Sequence, residues 1–151
     1  MQRLCTLLAA ALAVLVVLPA APAAAKRTVP RGFYAVMWDR DATKAPMAEQ
    51  QSQWGLMARS GVESLRTVFS WAQAQPEPLV TNYTYTDRVV GLAAAHNIDL
   101  LPVVRTTPSW AALNPFAPGS PPRDPADYTA YLRLLIERYG PDGSFWAEHP
   151  E

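Results

Sequence analysis

The chain has 151 residues, 13 Lys and Arg against 13 Asp and Glu, and 50% hydrophobic content. A balanced charge with no basic run argues against a nucleic-acid or anionic-membrane surface. One cysteine and two histidines leave no disulfide framework and no metal-ligand set, and nothing points to a cofactor.

Residues 1–25 read as a secretory leader. Arg3 supplies a positive start, residues 7–18 an apolar run, and Ala23-Ala24-Ala25 a small-residue cleavage site. The run is shorter than the roughly 20 residues a membrane-spanning helix needs. Export with cleavage after Ala25, and no stable membrane anchor afterwards, is therefore expected. Residues 26–151 would be the mature part and would contain no cysteine, because Cys5 falls in the leader. All five Trp and six Tyr fall in that part. Such residues build sugar-binding clefts and cores alike, and a count does not separate the two.

The first strand is predicted at 32–38. A polar turn follows, and Pro46 is expected to open a helix with Thr43 as a nearby cap. Met47, Trp54, Met57 and Ala58 share one face of that helix, and Gly61 stops it. A second strand is predicted over the core of 62–71, a loop broken by Pro76 and Pro78 over 70–84, and a helix over 86–96 that ends at Asn97. The third strand, 98–104, holds Pro102, which removes one ladder donor and would be a blemish in a central strand. A long Pro-rich loop over 105–125 has the character of a loop that serves a site. Asp124-Pro125 then caps and opens a helix whose stripe is Tyr128, Tyr131, Leu132, Leu135, Ile136 and Tyr139. Residues 142–151 show no periodicity.

The order is three βα units, with strands beginning about 31 to 35 residues apart. That is the unit length of a (β/α) barrel or a doubly wound sheet. A dinucleotide-binding sheet would need a glycine-rich turn after the first strand, and 38–46 has no glycine. The expected class is α/β, a partial TIM (β/α)8 barrel of about three βα units.

Within the second strand, period two sets Leu65, Thr67 and Phe69 on one side and Ser64, Arg66, Val68 and Ser70 on the other. Arg66 on an otherwise apolar strand is either a site residue paired with a carboxylate or a stem packed on the strand with its head in solvent. In a barrel strand it would lie near the C-terminal end and point to the mouth.

Here the residues resemble a family. The segment 65–71, Leu-Arg-Thr-Val-Phe-Ser-Trp, is similar to the second-strand motif of clan A glycoside hydrolases, in which an Arg ends the strand and a Trp follows. Residues 100–104, Leu-Leu-Pro-Val-Val, with Thr107-Pro108-Ser109-Trp110-Ala111, resemble the third strand and its loop. Residues 124–128, with Arg138-Tyr139-Gly140-Pro141 and Gly143-Ser144-Phe145-Trp146, resemble the third helix and its exit. The three motifs stand in order and cover 32–151, as in the secreted cellulase-like and β-xylosidase-like branches.

The resemblance implies a hydrolase of O-glycosidic bonds in polysaccharide or oligosaccharide, acting by retention through two carboxyls about 5 Å apart. It implies that Arg66 orients the nucleophile carboxylate and that Trp71 and Trp110 line a sugar cleft. Trp38 and Asp39, at the first strand's end, are candidates for contacts to sugar hydroxyls. The chain departs from the family in lacking the catalytic pair, which belongs to the fourth and seventh strands. Glu49 and Glu137 fall in helices, Glu77 in a Pro-rich loop, and Glu148 and Glu151 in the tail, so no Glu is expected at a strand end. The expectation is an N-terminal barrel portion, 26–151, truncated before the fourth strand and inactive alone. The rivals are a non-catalytic carbohydrate-binding or scaffold remnant, and a barrel enzyme of another chemistry that shares only the fold.

Overall fold

Strand β2, Ser64–Ser70, is the middle of a three-stranded parallel sheet with order β1-β2-β3, between β1, Ala35–Met37, and β3, Asp99–Arg105. The structure is a computed structural model that describes residues 27–38, 45–117 and 119–150. The leader over 1–25 with its cleavage after Ala25, and Thr43 and Asp39, lie outside those residues. Helix α1, Met47–Arg59, joins β1 to β2, and the short α2, Trp71–Ala74, and α3, Thr84–Ala95, join β2 to β3. Helix α4, Pro125–Tyr139, and α5, Ser144–Glu148, follow. The architecture is α/β, with one helical layer on one face of the sheet.

The alternation of β2 decides which face is covered. Leu65, Thr67 and Phe69 are buried, at 0%, 0% and 3% exposure, while Ser64, Arg66, Val68 and Ser70 are only half-buried. Trp54 of α1, Val89, Val90 and Ala93 of α3, Tyr131 and Leu135 of α4 and Phe145 of α5 join Leu65 and Phe69 in one core. Burying a side chain of Leu or Phe size contributes about 1.5–3 kcal/mol, so the covered face of β2 anchors the fold. The opposite face is open among the described residues: Met37 and Leu101, level with Arg66 in register, are 62% and 60% exposed.

Helix ends follow local chemistry. After α1, Gly61 takes φ 81°, its N–H bonds Ala58 O (3.2 Å), and the Val62 N–H bonds Met57 O (3.0 Å). After α3, Asn97 takes φ 54° and repeats the pattern onto Ala94 O and Ala93 O. Both are Schellman ends with a residue that tolerates the left-handed region. Asp124 caps α4, its Oδ1 accepting from the Ala126 N–H at 2.8 Å, with Pro125 just inside. Helix α1 begins one residue later than expected, at Met47, which is 44% exposed, while Gln50 turns inward and its Nε2 donates to Ala45 O at 2.6 Å.

Pro102 lies on an edge strand, not a central one. The Asp99 N–H donates to Glu63 O at 2.8 Å, so by alternation the amides of Leu101, Val103 and Arg105 also face β2. The position of Pro102 therefore faces the free edge, where the missing donor breaks no ladder bond. Residues 144–148, read as aperiodic, form α5. Arg138 ties α5 to α3 through Glu148 (2.7 Å) and Asp87 (2.8 Å), and Tyr139 Oη donates to Asp87 Oδ1 at 2.7 Å. The neighbouring carboxylates Glu148 and Asp87 hold the Arg138 pKa above its ordinary value, and Arg138 draws Glu148 down. Among the described residues no helix is long and apolar enough to cross a membrane.

Candidate functional site

The C-terminal ends of β2 and β3 are joined by hydroxyls and backbone. Ser70 Oγ lies 2.6 Å from Thr106 Oγ1, and the Ala72 N–H donates to Thr106 O at 2.8 Å. Thr106 holds φ 66°, a left-handed conformation that costs a β-branched residue of order 1–3 kcal/mol and clusters at functional sites. Beyond it lies a cavity of about 720 Å³ lined by Arg105, Thr106, Thr107, Phe116, Ser120 and Tyr128 among others. That volume suits a small ligand. Its lining mixes hydroxyls, one guanidinium and the aromatic rings of Trp71, Phe116 and Tyr128, with no carboxylate among the described residues. A second cavity of about 630 Å³ lies along the covered side of β3 against α4. It is walled by Leu100, Pro102, Val104, Leu132, Leu135 and Ile136, an open apolar groove between β3 and α4.

The predicted site residues are not all brought together. Arg66 is the third residue of β2 and so lies nearer its N-terminal than its C-terminal end, which corrects the expected position at the strand's close. It is, however, level with the end of β1, opposite Met37, and its Nη1 lies 2.6 Å from Met37 Sδ. The guanidinium thus emerges on the open face, below the cavity by the four strand positions from Arg66 to Ser70.

Trp71 is in the core, at 1% exposure, where it stacks on Tyr131 (centroids 5.5 Å apart, planes at 15°) and donates from Nε1 to Gln75 Oε1 at 2.8 Å. Trp110 stands edge-on to Trp71 at 5.8 Å and donates from Nε1 to Gln75 O at 3.0 Å. Both tryptophans buttress the β2 and β3 ends from behind, with Trp71 also touching the cavity wall. Trp38 packs against the core with its backbone clamped to β2: its N–H donates to Arg66 O (3.1 Å) and its carbonyl accepts from Thr67 Oγ1 (2.8 Å). Asp39 is outside the described residues.

Two residues escaped the sequence reading. Phe116, 96% exposed at the cavity lip, sits in the Pro-rich loop with no periodicity to mark it. Glu63 does stand at a strand end, contrary to expectation, but at the N-terminal end of β2. There Arg27 grips it as an ion pair, and the Gly32 N–H donates to its Oε2 at 3.0 Å. The Arg27 guanidinium first, then the backbone donors, holds its carboxyl down to about 2. It faces away from the cavity end of the sheet. Among the described residues no group of three His, Cys, Asp or Glu could hold a metal ion.

No family model matches the chain, and no curated protein matches it. Among solved structures it is similar to a polyextremophilic β-galactosidase from the Antarctic haloarchaeon Halorubrum lacusprofundi, with a TM-score of 0.50 and 20% identity. The match covers 71% of this chain and 19% of that one, so the chain spans a minor part of its neighbour's length. At that identity the likeness is one of fold.

Proposed function

We propose that this chain is the N-terminal portion of a secreted clan A glycoside hydrolase, exported on a leader cleaved after Ala25. The full enzyme would hydrolyse O-glycosidic bonds by retention. The observation that carries the reading is the sheet: parallel strands in chain order β1-β2-β3, with the helices on one face. A doubly wound sheet would carry helices on both faces and would reverse its order, whereas a barrel advances in one direction with every helix outside. The open face with Met37, Arg66 and Leu101 would then be the barrel interior, and the apolar groove along β3 and α4 the seat of the next unit. The β-galactosidase neighbour supports the class. Arg66 would act by charge on a carboxylate contributed by a later strand.

A carbohydrate-binding remnant is the second reading, favoured by the absence of any Asp or Glu in β2 or β3 beyond Asp99, which sits at the N-terminal end. The reading frame past Glu151 separates the two. A version extended through a strand that ends in Asn-Glu is expected to cleave an aryl β-galactoside or another aryl β-glycoside with retained anomeric configuration, followed by proton NMR. In that version Arg66→Met is expected to lower turnover by about a hundredfold, near 3 kcal/mol, without unfolding it. Near-normal turnover in the variant would remove Arg66 from the site. A stop codon directly after Glu151 would favour the remnant.

A further inference from the structure

We infer that the cavity at the C-terminal end of β3 binds a sugar that carries a carboxylate, with Arg105 as its anion partner and Phe116 as the platform for its apolar face. The inference rests on the carbohydrate reading above and adds the substrate class. Arg105 is the last residue of β3, exposed, and makes no ion pair among the described residues. Among the described residues that line the cavity there is no Asp or Glu to compete for it. A guanidinium presents a planar fork that matches a carboxylate with two parallel hydrogen bonds. Phe116 is 96% exposed, yet its turn is fixed, because its N–H donates to Asn114 Oδ1 at 3.1 Å and the Asn114 N–H donates to Ser120 Oγ at 2.9 Å. Thr107 and Ser120 add hydroxyls to the same lining, groups that ring hydroxyls of a sugar can bond, while those of Thr106 and Tyr128 are engaged by Ser70 and the Val104 carbonyl. A neutral sugar would use the ring and the hydroxyls and leave the cation idle.

The test titrates the chain with methyl β-glucuronide, methyl β-glucoside and a sulfated glucoside, following the amides of Thr106 and Thr107 by NMR. The glucuronide is expected to bind about tenfold tighter than the glucoside, the scale of one charge-assisted contact. Arg105→Gln should abolish that gap, Arg105→Lys should restore part of it, and Phe116→Ala should weaken both sugars alike. Both side chains are exposed, so an unchanged far-UV circular dichroism spectrum shows the variants to be folded. Equal binding of glucuronide and glucoside, or a gap that survives Arg105→Gln, overturns the inference and leaves the carbohydrate reading standing. Preference for the sulfated sugar overturns the carboxylate assignment. Binding of none of the three sinks both.

Discussion

Glu63 holds the N-terminal connection to the sheet with both of its carboxylate oxygens. Arg27 pairs with Oε1 and Oε2, and the Gly32 and Tyr34 amides donate to Oε2 at 3.0 and 3.4 Å. Because its folded pKa is depressed to about 2, its contribution is fully present above the ordinary carboxylate range and is lost as pH falls through that value. Acidification from about pH 5 to 2 is therefore expected to release residues 27–34, seen as loss of the Gly32 amide's distinct shift. Glu63→Gln should show the released spectrum already at neutral pH. A Gly32 amide unmoved by both changes would mean that β1 alone holds the segment. No local pattern announces this role, since Arg27 is 36 positions away and only folding brings the two together. The same limit governs Trp71 and Trp110. Their residue type suits a cleft or a core equally, and it is Tyr131, stacked from α4, that puts Trp71 inside.

Elements whose ends carry their own chemistry were legible in the sequence, and those defined by tertiary contacts were not. Gly61, Asn97 and Asp124-Pro125 mark helix boundaries because the left-handed turn or the cap is local. Helix α5 is five residues long, too short for a periodic signal, and is held by Arg138, which also packs over the Phe145 ring at 5.7 Å. Arg138 donates from Nε and Nη2 to both Asp87 oxygens, at 3.1 and 2.8 Å, with its side chain only 10% exposed. Replacing it by Met would strand the Asp87 carboxylate against α4 without its fork. Arg138→Met is expected to cost about 2 kcal/mol in urea unfolding, between an exposed pair and a fully buried one. Glu148→Gln should cost far less, because that carboxylate is 55% exposed. Equal losses for the two would place the strength of the network in α5 and not in the α3–α4 contact.

At the scale of the whole molecule, one sheet face and one sheet edge are open among the described residues. Met37 and Leu101 present large apolar side chains to water, and the groove beside β3 adds Ile136 at 69% exposure. Exposed apolar area of this kind marks an interface or an aggregation surface. The β3 edge is partly blunted, since Pro102 offers no donor there and the Val104 carbonyl already accepts from Tyr128 Oη at 3.3 Å. Association of the isolated chain should thus proceed through side-chain faces more than through added strands. The purified 26–151 polypeptide is expected to hydrolyse no glycoside, to bind the dye ANS, and to sediment as concentration-dependent oligomers. Met37→Lys with Leu101→Lys should reduce both dye binding and oligomers while leaving far-UV circular dichroism unchanged, because neither side chain belongs to the buried core. If the unaltered chain instead gave a sharp, reversible thermal transition as a monomer, the open face would be a natural surface, and a self-sufficient small domain would replace the partial barrel.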